Sequence, residues 1–250
     1  MEQRDIMTGL AKGLLVIETF TADTPRQSIS QVAAASGLDR ATARRCLLTL
    51  AQLAYADYDG KFFTLTPRIM RLGTACLATM PLPRIVQPWL DRSSEELGES
   101  LSVSILDGDE IVYVARAAQH KVMSISLTPG SRLPAYCTSM GRVLLAALPD
   151  SAITAALSHP LAARTPNTIT TADALFAELQ IVREQGYAVI DQEVEPGLVS
   201  IAVPLLDTHS RIVAALNIGL SSQRAQADRL ASLYLEKLRE IQTELRQVIS

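Results

Sequence analysis

Residues 30–50 run SQVAAASGLDRATARRCLLTL, and this stretch decides the fold of the N-terminal part of the chain. Its first half predicts a short helix capped by Ser30, because a serine hydroxyl accepts a hydrogen bond from a free N–H of the first helical turn. Gly37 supplies the left-handed backbone on which such a helix ends, and Asp39 is placed to cap a second helix. Two short helices joined by a glycine turn predict a helix-turn-helix.

The second predicted helix has one apolar face and one polar face. At about 100° per residue, a single arc of about 120° holds its apolar side chains, which are Ala43, Cys46, Leu47, Leu50 and Leu53. The side chains left to reach base edges and phosphates in a major groove are Arg40, Thr42, Arg44 and Arg45. The same layout is typical of an ordinary solvated helix, so DNA binding is favoured only by this helix together with its neighbours.

Residues 55–65 predict a β-hairpin, because Asp59-Gly60 is a strong two-residue turn between strand-forming residues. A further helix is predicted over residues 9–20. Three helices followed by a hairpin predict a winged helix-turn-helix DNA-binding domain over residues 1–66. Lys61 lies at the tip of the hairpin, where it contacts either a DNA phosphate or only water.

Thr66 and Pro67 open another helix, since threonine is a good cap and proline is tolerated in a first helical turn. This linker helix is predicted over residues 67–81 and is ended by Pro81 and Pro83. Its apolar stripe offers a surface for a second copy of the chain, which predicts a homodimer. A two-fold dimer that carries two recognition helices reads a pseudo-palindromic operator in double-stranded DNA.

Residues 82–250 predict one α+β domain for effector binding and oligomerisation. Strand patterns, one of them over residues 111–115, alternate here with amphipathic helices, which favours a largely antiparallel sheet with helices on its faces. The charges agree with this division. Residues 1–80 carry 9 basic and 7 acidic residues, net +2, whereas residues 81–250 carry 14 and 19, net −5.

Several classes of protein are disfavoured. The three cysteines, Cys46, Cys76 and Cys137, are far apart, so neither a disulfide framework nor a metal site is indicated. No apolar run of about 18 residues and no secretory signal is present, which predicts a cytoplasmic protein with no membrane contact. Cys137 precedes a predicted helix but has no predicted base beside it, and motifs of nucleophilic or phosphate chemistry are missing. We therefore expect neither catalysis nor a cofactor.

A ligand pocket suits the segment around Cys137 better. A helix predicted from Ser139 offers backbone N–H groups to an anion such as a carboxylate. Apolar walls for the pocket are predicted from Ile125, Leu133, Tyr136 and Met140. Asn217 lies within the apolar strand sequence AALNI, and its amide is either satisfied by backbone groups or aimed at a ligand.

Three segments of this second domain resemble a known family. They are GSRLPAYCTSMGRVLLA at residues 130–146, GYAVIDQE at residues 186–193 and GLVSIAVP at residues 197–204. With the winged helix-turn-helix and the linker in the same order over nearly the whole chain, they resemble the IclR family of bacterial transcriptional regulators. The resemblance implies a C-terminal domain similar to GAF and PAS sensors, a dimer or dimer of dimers, and repression or activation switched by a small metabolite.

Two stretches, residues 39–50 and residues 132–145, resemble a narrower branch that regulates protocatechuate, 4-hydroxybenzoate and β-ketoadipate catabolism. This resemblance implies an aromatic or dicarboxylic acid as effector. It places the effector contacts at Ile125, Leu133, Ser139, Met140, Asp191 or its neighbour Ile190, Ser200, Asn217 and Gly219. Some relatives have serine where this chain has Asn217 and Gly219, so the groups offered to the ligand differ. The alternative is an enzyme or metabolite-binding protein whose N-terminal helices do not bind DNA.

Overall fold

The computed structural model describes residues 6–21, 23–119, 127–157 and 160–249. Contacts between residues divide the chain into two compact units, Met1–Thr79 and Met80–Ser250. Within the described ranges, no helix is both long and apolar enough to cross a bilayer. The predicted linker over residues 67–81 falls mostly in the first unit, and its role as a connector between domains stays a prediction.

The first unit combines helices with a small antiparallel sheet. Its helices are α1 (Thr8–Glu18), α2 (Ile29–Ser36) and α3 (Arg40–Gln52), and its strands are β1 (Arg26–Ser28), β2 (Ala56–Tyr58) and β3 (Phe62–Leu65). The strands pair in the order β1-β3-β2. Helices and strands share a core of fully buried side chains, among them Val16, Val32, Ala43, Leu47 and Phe63. The predicted winged helix-turn-helix is confirmed, with β1 as an additional strand.

The start of α2 differs from its prediction, because its cap is Ser28 and not Ser30. The Ser28 hydroxyl accepts a hydrogen bond from the Gln31 N–H at 3.4 Å, and the Gln31 side-chain oxygen accepts one from the Ser28 N–H at 2.9 Å. Ser30 lies inside the helix and is exposed. The reason is the pairing of β1, which holds Ser28 extended opposite Phe62 and leaves it as the last residue before the helix.

We expect Ser28→Ala to lower the free energy of unfolding by about 1 kcal/mol, the usual cost of losing a helix N-cap. Ser30→Ala is the matched control. It should leave stability unchanged or raise it by up to about 0.5 kcal/mol, because alanine is favoured over serine inside a helix. Chemical denaturation of the full chain measures both changes, and equal destabilisation by the two would contradict Ser28 as the cap.

The turn before α3 follows its predicted chemistry. Gly37 ends α2 with a φ of +67°, a conformation that glycine adopts without steric cost. Asp39 caps α3, since its carboxylate accepts a hydrogen bond from the Thr42 N–H at 2.9 Å. The predicted apolar arc is wrong at its end, where Leu53 is 52% exposed, but it is buried at Ala43, Leu47 and Leu50.

The chain continues through a 3-10 turn, Pro67–Ile69, into α4 (Met70–Thr79), and α5 (Pro81–Leu97) follows directly. The Thr66 hydroxyl caps the turn, as predicted. Pro81 both ends one helix and opens the next, because proline has no N–H to leave unpaired in a first turn. The α4 side chains at residues 70–76 and 79 are exposed in the single chain.

The second unit is built on one sheet. Its strands are β4 (Ser100–Asp107), β5 (Glu110–Ala117), β6 (Arg132–Pro134), β7 (Ala188–Asp191), β8 (Leu198–Leu206) and β9 (Ile212–Ser221). They pair in the order β6-β5-β4-β9-β8-β7, and each of these pairings is antiparallel. The predicted α+β architecture is confirmed.

Helices cover both faces of this sheet. On one face, α5 and α9 (Leu230–Arg246) pack on a buried layer that includes Leu101, Val103, Ile201 and Leu216. On the other face, α6 (Ser139–Ala146) packs on the sheet and α8 (Ala172–Gln185) packs on α6, while α7 (Asp150–Ala156) lies between them in the chain. The neighbouring strands β8 and β9 are therefore buried on both sides, which is why they read as apolar runs without polar alternation.

Candidate functional site

The polar side of α3 presents three arginines to solvent, Arg40, Arg44 and Arg45. Hydrogen bonds from Thr42 hold the pKa of Asp39 below its ordinary value, which keeps a negative charge at the positive end of the α3 dipole. Their guanidinium groups are free of the core, and groups of this kind contact phosphates and guanine edges when a helix lies in a major groove.

The structure does not place Thr42 where it can contact DNA. Its side chain is 6% exposed and borders a groove between α1 and α3 that Leu10 and Leu14 also line. Thr42 lies about 100° around the helix from the buried Ala43, so it falls at the edge of the packed face. Its hydroxyl accepts a hydrogen bond from the Arg45 guanidinium at 3.3 Å. Thr42 therefore holds the Arg45 side chain and does not make the predicted contact with DNA.

Lys61 lies exposed at the tip of the wing. The Asp59 carboxylate accepts hydrogen bonds from the N–H groups of Lys61 and Phe62 at 2.9 and 2.8 Å, and Gly60 has a φ of +99°. The Lys61 ammonium is 5.1 Å from the centre of the Phe62 ring. Arg26 on β1 pairs with Asp59 and lies 4.4 Å from the same ring, so the wing carries a second cation that was not predicted.

A cavity in the second unit lies between the sheet and the start of α6. Its volume is about 30 Å³, the room of about one water molecule, so a small-molecule effector has to widen it. It is lined by most of the predicted effector residues, namely Leu133, Ser139, Met140, Ser200, Asn217 and Gly219. It is also lined by residues that were not predicted, namely Tyr113, Arg116, Leu127, Thr138, Val194 and Leu198.

Two predicted effector residues do not line this cavity. Tyr136 is buried beside a different cavity, and its hydroxyl donates to the Ala162 carbonyl at 2.6 Å. Asp191 is exposed at the end of β7. Its neighbour Ile190 is fully buried and pairs with Ser200, and successive side chains on a strand point to opposite faces, so Asp191 cannot share the face of Ser200.

The predicted contact at Ile125 lies outside the described residues. Of the predicted apolar wall, Leu133 and Met140 line the cavity, and they are 5% and 1% exposed. Leu127, the first described residue after the gap, also lines the cavity.

The start of α6 brings hydroxyl groups to the cavity. The Ser139 and Ser200 hydroxyls are hydrogen-bonded to each other at 2.8 Å. Thr138 caps the helix, since its hydroxyl accepts from the Gly141 N–H at 3.1 Å. Within the described ranges, the N–H groups of Ser139 and Met140 have no such acceptor, and they are the ones left for an anion.

Arg116 is a charged residue of the cavity wall that the sequence prediction missed. It is half-buried on β5, and its guanidinium donates to the Ser102 hydroxyl at 2.9 Å. Burial lowers the pKa of Arg116. The predicted strand stopped at residue 115, one residue before Arg116 and two before the end of β5. A longer strand would have shown a polar side chain in an apolar strand, which is the signal that identified Asn217.

Asn217 lines the same cavity from β9 and is 8% exposed. Its side-chain oxygen accepts no hydrogen bond from the part of the chain that the structure describes. No backbone N–H among the described residues donates to this oxygen, so the first of the two alternatives left by the sequence is not observed. The other alternative, an amide aimed at a ligand, agrees with its position.

A buried ion pair lies behind the cavity. Arg142 on α6 donates to the Glu193 carboxylate at 2.6 Å and to the Tyr136 carbonyl at 3.0 Å. The side chains of Arg142 and Glu193 are only 2% and 8% exposed. Burial raises the pKa of Glu193, while Arg142 acts in the opposite direction. The pair connects α6 to the segment after β7. Val194, which follows Glu193 in this segment, lines the cavity.

Cys137, considered from the sequence as a nucleophile, is buried. Its thiol donates to the Pro134 carbonyl at 3.7 Å, and burial raises the pKa of the thiol to about 11. A reactive cysteine needs a lowered pKa. This environment therefore favours a packing role for Cys137.

Comparison with known proteins agrees with this architecture. The family description "IclR helix-turn-helix domain" matches residues 9–60, and "Bacterial transcriptional regulator IclR C-terminal" matches residues 74–246. The Pca regulon regulatory protein of Pseudomonas putida is 44% identical over 233 residues, which cover 92% of this chain and 80% of that protein.

Two solved structures are similar as well. An IclR homolog from Microbacterium hydrocarbonoxydans, complexed with 4-hydroxybenzoate, has 25% identity and a TM-score of 0.71, covering 96% of this chain and 99% of its own. A double mutant of the inducer-binding domain of the Acinetobacter transcription factor PobR, in complex with 3-hydroxybenzoic acid, has 33% identity and a TM-score of 0.62, covering 67% of this chain and 98% of its own. Sequence and fold agree along both units, and the chain belongs to the IclR family of bacterial transcriptional regulators.

Proposed function

We propose that this regulator controls genes for the breakdown of aromatic acids and that a small carboxylic acid bound in the second unit switches it. The observation that carries the proposal is the cavity, in which a guanidinium, an amide and several hydroxyls stand among apolar walls. The names of its relatives support the same chemistry, since one regulates the pca regulon and two solved structures contain hydroxybenzoates. A protein that binds an operator works beside the chromosome, so we place it in the cytoplasm.

Calorimetry and thermal shift of the full chain test the effector. We expect at least one of protocatechuate, 4-hydroxybenzoate and β-ketoadipate to release or absorb heat and to raise the melting temperature, because a ligand that binds only the native state stabilises it. If none does so at millimolar concentration, the effector part of the proposal fails. The alternative, an enzyme or metabolite-binding protein, predicts binding of a small molecule without any affinity for an operator.

We expect Ser139→Phe to abolish the response to the effector while operator binding stays intact. Ser139 is 1% exposed and its hydroxyl contacts Ser200, so a phenyl ring at this position fills the cavity. Ser139→Ala is the matched control, since it removes the hydroxyl but leaves the space free. Gel shifts with and without 4-hydroxybenzoate measure the response. A Ser139→Phe protein that still responds would show that the effector binds elsewhere.

For DNA, we propose that Arg40, Arg44 and Arg45 contact the operator from α3 and that Lys61 contacts a phosphate from the wing. Arg44→Ala should weaken binding to the native operator by about 5–150-fold, because a base-contacting arginine contributes about 1–3 kcal/mol. It should also relax sequence preference at one operator position. Gel-shift titrations with the native operator and single-base variants of it measure both effects.

Two other variants separate the kinds of contact. Lys61→Ala should weaken binding to all sequences alike and lower the salt dependence by about one ion, as expected for a phosphate contact. Arg229→Ala removes an exposed arginine from the second unit and should change nothing. Native affinity in Arg44→Ala and in Arg45→Ala would refute the assignment of α3 as the recognition helix.

We further propose that the chain acts as a homodimer or as a dimer of such dimers. Met70 and Leu72 of α4 are 66% and 52% exposed in the single chain, which is the kind of apolar surface that a second copy covers. Two-fold pairing places two recognition helices about one DNA turn or a multiple of it apart, and the operator is then a pseudo-palindrome. Sedimentation that shows only monomer at micromolar concentration would contradict this.

A further inference from the structure

Three polar side chains form one row across the middle of the sheet. Ser102 on β4 pairs with Arg116 on β5 at one side and with Asn217 on β9 at the other. Directly paired residues on neighbouring strands share a face, and the strands are about 4.8 Å apart. Arg116 and Asn217 therefore flank Ser102 on the face of the sheet that lines the cavity.

The guanidinium at one end of this row has no carboxylate partner among the described residues. Arg116 bends over the middle strand to donate to the neutral Ser102 hydroxyl, and it forms no ion pair with any described carboxylate. Withdrawal of a cation from water is unfavourable unless a negative charge accompanies it, and burial lowers the pKa of Arg116 accordingly. A planar carboxylate accepts two parallel hydrogen bonds from such a group.

The amide oxygen at the other end has no hydrogen-bond donor among the described residues. The Asn217 oxygen is buried and accepts nothing from the described residues. An unpaired acceptor in such a place costs stability, and only a group that carries a hydrogen can satisfy it. A hydroxyl does so, whereas a second carboxylate is repelled by the lone pairs of the oxygen.

We infer that this row reads the two polar ends of the effector, with Arg116 holding its carboxylate and the Asn217 oxygen accepting a hydrogen bond from its hydroxyl. The inference rests on the proposed function and deepens it in two ways. The effector class becomes a hydroxylated carboxylic acid rather than any carboxylic acid. The carboxylate is held by a full charge on the sheet and not by the start of α6, where the helix dipole offers about half a charge.

Calorimetry of the full-length wild-type protein with matched probes tests both ends. The probes are 4-hydroxybenzoate, its uncharged amide 4-hydroxybenzamide, and benzoate, which lacks the hydroxyl. We expect 4-hydroxybenzoate to bind at least about tenfold more tightly than either of the others, since each lacks one of two polar contacts. Arg116→Gln should abolish the preference for 4-hydroxybenzoate over its amide, and Asn217→Leu should abolish the preference over benzoate.

A further variant tests the inference even if Arg116→Gln or Asn217→Leu impairs folding. Asn217→Asp places a carboxylate beside Ser102, where it can pair with Arg116 in the empty protein. It should hold or raise the melting temperature and still weaken 4-hydroxybenzoate binding by more than about tenfold, since the guanidinium is already occupied. Arg132→Gln is the matched control on the same sheet, because Arg132 is an exposed arginine outside the cavity, and it should leave every affinity unchanged.

The outcomes are distinct. If no probe, protocatechuate or β-ketoadipate binds the wild-type protein, the proposed effector chemistry fails and this inference fails with it. If 4-hydroxybenzoate binds but Arg116→Gln and Asn217→Leu keep both preferences, or Asn217→Asp binds it like wild type, the inference alone is overturned. Loss of one preference in each of the two variants, with Arg132→Gln unchanged, supports it.

Discussion

Replacement of Arg142 by methionine should lower the free energy of unfolding by about 3–5 kcal/mol at neutral pH, because it leaves a buried carboxylate without its cation. Glu193 is 6% exposed and accepts hydrogen bonds from Arg142 at 2.6 Å and from the Ile169 N–H at 3.2 Å. Methionine fills a similar length without a charge, and a single backbone N–H cannot replace the guanidinium. Chemical denaturation of the full chain measures the loss.

The loss caused by Arg142→Met should shrink as the pH falls. Burial already raises the pKa of Glu193, and Arg142 opposes that rise. A carboxyl whose folded pKa is raised takes up a proton more readily in the folded state than in the unfolded state. Its unfavourable charge is therefore present above the folded pKa and is removed as the pH falls below it. The difference from wild type should be larger at about pH 8 than at about pH 5.

Arg132→Met is the matched control. Arg132 contacts Asp107 and Glu110 at 2.7 and 2.6 Å, but these three side chains are 42%, 64% and 38% exposed. Exposed pairs contribute at most about 1 kcal/mol. Adding Glu193→Gln to Arg142→Met should recover stability at high pH, since it removes the unpaired charge. An Arg142→Met protein as stable as Arg132→Met at every pH would refute the argument.

Gly141→Ala should cost at least about 3 kcal/mol, at the upper end of what overpacking costs. A Cβ at Gly141 would overlap the carbonyl oxygen and Cα of Ala135 and would crowd the Thr138 hydroxyl. Because the Ala135 atoms belong to the backbone of the 3-10 turn Ala135–Cys137, they cannot rotate away. The start of α6 has to move instead, and Ser139 moves with it. We therefore expect effector binding to be lost together with stability.

Gly13→Ala is the control for this change. Gly13 lies in α1, and a Cβ there meets nothing within 4 Å. The substitution should raise stability by about 0.5–1 kcal/mol, because alanine favours a helix more than glycine does. Thermal denaturation and calorimetry with 4-hydroxybenzoate measure both proteins. Wild-type stability and affinity in Gly141→Ala would mean that the turn and the helix are not packed as closely as the structure has them.

Local chemistry was enough to predict the framework of the first unit. Gly37 and Asp39 act on their own turn and helix, and Asp59 and Gly60 make a hairpin from four neighbouring residues. Such features depend on hydrogen bonds and φ angles within a few positions of each other, so a single sequence carries them in full. The motif order that resembles the IclR family is likewise a property of the sequence alone.

Predictions that depended on distant partners were less successful. Ser28 caps α2 because β3 comes back to pair with β1, and Thr42 is covered because α1 packs beside α3. Tyr136 carries its hydroxyl to Ala162 and away from the effector cavity. In each case helical or strand periodicity gives the direction of a side chain but not the element that covers it.

The sequence by itself determined the two-domain plan, the winged helix-turn-helix and half of the described residues that line the cavity. Only the tertiary structure decided which of them act together. Arg116 and Asn217 lie on strands far apart in the chain, and they share a row because β4 pairs with β5 on one side and β9 on the other. Strand register is set by the burial of whole apolar faces, and a shift of one residue would turn every side chain to the opposite face. No local pattern contains that choice, so the position of a cation and a buried acceptor in one row could be seen only in the folded sheet.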